Sequence, residues 1–131
     1  MMCLSVCQPY AHAIIHGTKR IENRTWTTRF RGPLLIHASK SKLYITDCEP
    51  EDFAIEGITL PKSWDDLDWG KVIGIVDVVD VVDFRAVKGQ PFAEGPFCWL
   101  LNNPRAVVPV PVRGQRSIFP VPDALIKFPT P

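Results

Sequence analysis

Residues 17–24 read GTKRIENR, and three of their charges have the types and spacing of a site that could read or transform a ligand. Lys19 stands three residues before Glu22, and Arg24 follows two residues later. A lysine beside a carboxylate can hold a polar ligand, the ammonium donating and the carboxylate accepting, while the planar Arg24 guanidinium offers a fork for phosphate or a stacking face. If burial lowers the lysine pKa, the same pair can move protons. Spacing alone fits better an exposed set of cross-strand ion pairs, which contributes little.

Other chemistry is weakly represented. His12 and His16 are four apart, the helical spacing that lets two imidazoles reach one metal, but a third ligand such as Cys7 or His37 would be needed and no HExxH pattern is present. Ser39, Ser117, Cys98 and Thr25 are available as nucleophiles, without a nucleophile elbow or a Cys-His signature around any of them. There is no glycine loop of the phosphate-cradling kind. Neither a metal nor a cofactor is expected.

The elements that must carry GTKRIENR follow from pattern. Upstream, SVCQPYAHAIIHG reads as a short helix, with Pro9 suited to its first turn, Tyr10, Ala13 and Ile14 on one face, and Gly17 at the C-cap. RIENRTW is strand-like but alternates poorly; Arg20, Glu22, Arg24 and Trp26 would share one face. RGPLLIHAS turns at Gly-Pro and continues as a central strand, with Ser39 or Ser41 capping a helical segment beyond it. Residues 44–70 are acidic and read as a covering excursion with a helix around 50–56. KVIGIVDVVDVVDF is the strongest strand, although its aspartates at 77, 80 and 83 recur every three residues, which a bulge or a strand exit near Asp80 explains. FCWLLNNP and AVVPVPV read as a hairpin about Asn102-Asn103-Pro104, and SIFPVPDALIKF adds a last short strand or turn.

Short strands, thirteen prolines and eight glycines argue against a helix bundle. The expectation is an α+β chain forming a small β-barrel with two or three helices packed at its ends. At 131 residues and 46% hydrophobic, residues 1–131 suit a single domain. Four cysteines without a CxxC pair suggest reduced thiols, and no apolar run approaches the roughly 20 residues of a membrane span. A cytoplasmic protein is expected, without a membrane partner. Its net charge of +1 is unevenly spread: residues 1–42 hold seven Lys/Arg against Glu22 alone, residues 43–83 two against eleven acids, and residues 84–131 six against two. Should the basic ends meet, they form a patch that attracts phosphate; otherwise they are scattered solvated charge.

Taken together, Gln8-Pro9-Tyr10, Gly17, Lys19, Glu22, Arg24, Trp26, Arg31-Gly32 and His37-Ala38-Ser39 resemble the N-terminal signature of the ASCH (activating signal cointegrator homology) family, in the PUA-like superfamily. GIVDVVDVVDF resembles that family's central strand, and Glu94, Gly95, Pro96, Trp99 and Leu100 its late EGPxxWxL segment. The resemblance implies a PUA-like β-barrel whose cleft, lined by GxKxxExR, receives RNA or a modified nucleoside. Lys19, Glu22 and Arg24 then become site residues, Tyr10, Trp26 and Trp99 candidate stacking surfaces, and Arg29, Arg31, Lys40, Arg113 and Arg116 a basic flank. Some relatives resemble hydrolases, acting on N4-acetylcytidine or as ribonucleases. The deacetylating branch pairs the lysine with a hydroxyl three positions on, where this chain has Glu22. Amide hydrolysis here would use Glu22 as base on water and Lys19 at the oxyanion, with Glu94 a second carboxylate and Ser117, in GQRSIF, a further candidate. The remaining alternative is a protein-interaction module in which the charges only hold the barrel together.

Overall fold

A computed structural model describes the whole chain except residues 54, 56 and 131. Its elements run β1 (Met2–Val6), α1 (Tyr10–His16), β2 (Ile21–Arg24), β3 (Gly32–Ala38), β4 (Lys71–Asp83), β5 (Phe97–Pro111) and β6 (Ile118–Pro120). The strands form one sheet in the order β2-β5-β4-β3-β1-β6. All neighbours are antiparallel except β1 and β3, which run parallel with α1 and β2 between them in sequence.

The apolar run of β3 is continuous because both of its faces are covered. Leu34 and Ile36 join Leu4, Val6, Ile14, Ile15 and Val76 beneath α1, whereas Leu35 joins Cys3, Val72, Ile75, Phe119 and Val121 on the opposite side. Gly74 is what lets α1 lie so close, since a Cβ there would meet the Ile15 side chain at 2.5 Å.

Bulges curl this sheet into a half-barrel. Val78 pairs with Leu101 and Asp80 with Leu100, so Val79 is an extra residue on β4. That insertion accounts for the three-residue spacing of the first two aspartates, which come to face the same way. Arg105 takes Asp77, Arg31 takes Asp80 and Arg85 takes Asp83.

Three local expectations are corrected. Asn102-Asn103-Pro104 does not turn a hairpin: β5 runs through it unbroken, and Asn103, at φ 51°, sits where three β5 residues span two of β4. Asparagine tolerates the left-handed conformation, so a turn-like tripeptide serves as a bulge. Gly17, by contrast, is the C-cap of α1 as its position implied, in extended conformation (φ −134°, ψ −152°), and its lack of a side chain makes room for Ile58. Beyond β3 there is a turn at residues 43–47 instead of a helix. The helix expected around 50–56 is a single 3-10 turn at Pro50–Asp52, two of those positions (54 and 56) lying outside the described residues. Among the described residues, one α-helix and four such turns therefore stand where two or three helices were expected.

Candidate functional site

Gln8 prepares the site. It is buried, its Oε1 accepts from the His12 N–H at the start of α1, and its amide donates to the Asp68 carbonyl, tying the helix to the acidic excursion. At the other end of α1, the Arg20 guanidinium donates to the carbonyls of Ile14 and Lys19. Arg20 thus turns back to the helix terminus, where a cation suits the dipole. Lys19 takes its place among the inward charges.

There Lys19 is 3% exposed and Glu22 8%. The Lys19 ammonium donates to the Ile21 carbonyl and stands 3.5 Å from Glu22 Oε1. It also lies over two rings, 5.5 Å from the centroid of Tyr10 and 5.1 Å from that of Phe92, within cation–π range. Glu22 Oε2 accepts from Arg24 Nη2 at 2.8 Å, and the same nitrogen donates to the Ser5 carbonyl at 2.7 Å. The Arg24 Nε is buried without an acceptor among the described residues. Burial pushes the Lys19 pKa below its ordinary value, against the opposing pull of Glu22 and Glu94. Burial also raises the Tyr10 phenol, helped by the charge of Glu94.

These groups line a cavity of about 200 Å³ with Ser5, Cys7, Asn23, Tyr44, Phe92 and Glu94 among its walls. The structure therefore gathers Lys19, Glu22, Arg24, Tyr10 and Glu94. It does not bring the other sequence candidates there. Trp26 packs edge-on against the fully buried Trp99 at 4.9 Å, in the core. Arg31 is engaged with Asp80. Lys40 lines a second, larger cavity, and Ser117 is exposed with a left-handed backbone at φ 58°. His12 and His16 lie with ring centroids 5.1 Å apart, and His12 Nε2 is 3.2 Å from the Thr59 carbonyl. Among the described residues no group of three or more His, Cys, Asp or Glu could hold a metal.

Sequence reasoning missed Asn23, Tyr44 and Phe92. Asn23 donates to the Phe92 carbonyl at 2.8 Å and accepts from the Glu94 and Gly95 N–H groups at 2.9 Å each. One amide thereby fixes the loop that carries Phe92 and Glu94 to the cavity. Its signal was visible as a polar residue on the Ile21 face of β2. Phe92, at φ 69°, and Tyr44, in the acidic excursion and edge-on to Tyr10 at 5.2 Å, carried none.

The second cavity, about 800 Å³, lies across Ser5, a residue common to both linings. Its floor is His37, whose Nε2–H donates to the Val112 carbonyl at 2.7 Å while Nδ1 accepts from the Ser5 hydroxyl at 2.9 Å. A carbonyl can only accept, which fixes that tautomer in the neutral ring. Burial lowers the His37 pKa against the backbone bonds to Val112 and Gly70, which raise it, and the Lys40 charge adds a smaller lowering.

A six-stranded curled sheet closed on one side by a helix defines an α+β fold of the PUA-like kind. The chain belongs to the ASCH family: the model of the ASCH domain matches residues 4–111. It is 30% identical over 128 residues to human activating signal cointegrator 1 and 28% identical to the mouse protein, in each case across 89% of this chain. The chain spans only 22% of the length of those relatives. The solved ASCH from Zymomonas mobilis superposes with a TM-score of 0.59 and 14% identity, covering 97% of this chain and 96% of that one. At that identity the likeness speaks for the fold. No helix among the described residues is long and apolar enough to cross a membrane.

Proposed function

We propose that the Lys19–Glu22–Arg24 cavity receives a base of RNA or of a modified nucleoside. The observation that carries this reading is a buried ammonium–carboxylate pair at the wall of a cavity flanked by three aromatic rings, Tyr10, Tyr44 and Phe92. Burying such a pair stabilises a fold poorly, because desolvation opposes the attraction. It does present a donor and an acceptor to the edge of a planar heterocycle, with ring surfaces for its face. About 200 Å³ is below the roughly 300–1,000 Å³ of a pocket for a whole small molecule, which suits a base with its sugar outside.

The test uses Lys19→Met and Glu22→Gln, which keep most of the side-chain volume. Loss of affinity for a short single-stranded RNA and for cytidine in both, with unchanged circular dichroism, is the expected result. Retained affinity in both sinks the assignment.

A second reading, amide hydrolysis of an N-acylated pyrimidine nucleoside, is favoured by the lowered Lys19 pKa and by the second carboxylate, Glu94, at the same cavity. Water would add to the acyl carbon as a carboxylate takes its proton, Lys19 would steady the oxyanion, and the C–N bond would break as the amine is reprotonated. Release of cytidine from N4-acetylcytidine, followed across about pH 6–9 with Lys19→Met as control, decides it; no turnover removes the hydrolase reading. Residues 1–131 are taken as one domain, and the unpaired thiols Cys3, Cys7, Cys48 and Cys98 favour a reducing, cytoplasmic setting.

A further inference from the structure

Three arginines elsewhere are matched by aspartates, Arg31 with Asp80, Arg85 with Asp83 and Arg105 with Asp77. Around the 800 Å³ cavity that pattern fails. Lys40 follows β3, Arg113 and Arg116 follow β5, and among the described residues none of the three has an ion-pair partner. No Asp or Glu belongs to the lining, which is completed by Ser39, Gln115 and the exposed backbone of the 112–116 segment. That segment rests directly on the floor, since a Cβ on Gly114 would come within 2.9 Å of the His37 ring. Lys40, Arg113 and Arg116, none of them ion-paired among the described residues, give this cavity a positive field.

Ser5 is the wall between the two cavities. Its carbonyl accepts from Arg24 on one side and its hydroxyl donates to His37 on the other. A ligand with its base beside Lys19 would have its sugar emerge near this residue, and the next cavity is roomy enough for a ribose and a phosphate group. Two guanidiniums and an ammonium suit phosphate oxygens, with which arginine makes forked, charge-assisted bonds.

We infer that the cavity formed by Lys40, Arg113, Arg116 and the 112–116 backbone is a phosphate subsite, reached across Ser5 by the ligand whose base enters the Lys19 cavity. This rests on the base-binding reading, and it changes the ligand class from free nucleosides to nucleotides or RNA. Arg24, whose Nη2 is given to Glu22 and the Ser5 carbonyl, does not line this cavity.

The test compares cytidine with cytidine 5′- and 3′-monophosphate, by calorimetry at low and high salt, on the wild-type chain and on Lys40→Ala/Arg113→Ala/Arg116→Ala. Arg116→Glu alone serves if the triple variant does not fold. A monophosphate is expected to bind at least about tenfold more tightly than cytidine at low salt, the gain shrinking as salt rises. The variant should lose that gain and keep its affinity for cytidine. A gain missing from the wild type, or surviving in the variant, overturns the subsite. If cytidine and its monophosphates all fail to bind, the base-binding reading falls, and inorganic phosphate then decides the subsite alone. Shifts of the Gly114 and Gln115 amide signals in the wild type but not the variant uphold it, and their absence overturns it.

Discussion

The two cavities on either side of Ser5 handle charge in opposite ways. Around Lys19 the buried charges are matched: the ammonium has Glu22 and the Ile21 carbonyl, Glu22 has Arg24, and Arg24 has the Ser5 carbonyl, while Glu94, the remaining charge of the lining, is exposed. Around Lys40, Arg113 and Arg116 the charges are exposed and, among the described residues, unmatched, over a floor formed by the His37 imidazole, whose pKa burial lowers. The first arrangement is preorganised, its geometry fixed before a ligand arrives. The second leaves long side chains free to close on one. The difference predicts that the first set is bound up with folding and the second is not.

The largest effect should come from splitting the buried pair. Glu22→Ala leaves a desolvated ammonium with no carboxylate beside it and should cost about 3 kcal/mol of stability in urea unfolding. Lys19→Met, which removes the charge that needs a partner and leaves Glu22 its arginine, should cost much less. The Glu22→Ala deficit should also shrink at alkaline pH. A lysine whose folded pKa lies below its unfolded value binds fewer protons in the folded chain, so stability rises with pH between the two values. Equal losses in both variants would show that the pair does not act as a unit.

Next comes the loop that closes the first cavity. Asn23→Ala strands the Phe92 carbonyl and the Glu94 and Gly95 N–H groups, and should cost about 2 kcal/mol. Asn23→Asp keeps the acceptor for both N–H groups and loses only the donor, so it should fall between. Because Asn23 acts through Phe92 and Glu94, Asn23→Ala should also weaken cytidine binding more than its modest stability loss explains, which titration at a temperature well below unfolding can read.

How much of this was legible depended on whether a residue's partner was local. Lys19, Glu22 and Arg24 lie within six residues and meet one another, so spacing was a fair guide. Their burial was less so, since alternation gave Arg20 the inward position that Lys19 holds. The misread Asn102-Asn103-Pro104 has a single strand's hydrogen bonding on both sides; only the register against β4 distinguishes a bulge from a turn. Trp26 had the composition of a stacking surface, but Trp99, which claims it, lies 73 positions away. The bulge near Asp80 was readable because a period of three on a valine-rich strand has few other causes. The second cavity is built by segments after β3 and after β5 converging on His37, a juxtaposition that the sequence hints at only as two basic ends.

A smaller effect tests the floor of the second cavity. Burial holds the folded His37 pKa below its ordinary 6.5, so between those two values the unfolded chain binds the extra proton and the folded chain does not. Stability is therefore full above the ordinary value and declines as pH falls toward the folded one. His37→Gln should flatten that decline between about pH 7.5 and 5 in chemical unfolding curves. It should not abolish it, because His16 is lowered in the same sense by burial and by His12. A slope unchanged by the substitution would mean that burial does not hold the ring neutral.

The smallest effect is the sharpest check on the contrast. Lys40, Arg113 and Arg116 are exposed and make no ion pair among the described residues, so replacing all three with alanine removes no attraction that the fold uses. Surface changes of this kind stay within about 0.5 kcal/mol each, and relief of mutual repulsion works in the other direction. The triple variant should thus unfold at nearly the wild-type urea midpoint, with the difference narrowing further as salt screens the wild-type repulsion. A loss as large as that of Glu22→Ala would mean that these cations brace the 112–116 segment, and the division between a folded-in charge set and a free one would collapse. A midpoint at or above wild type is what cations without partners in the fold should give.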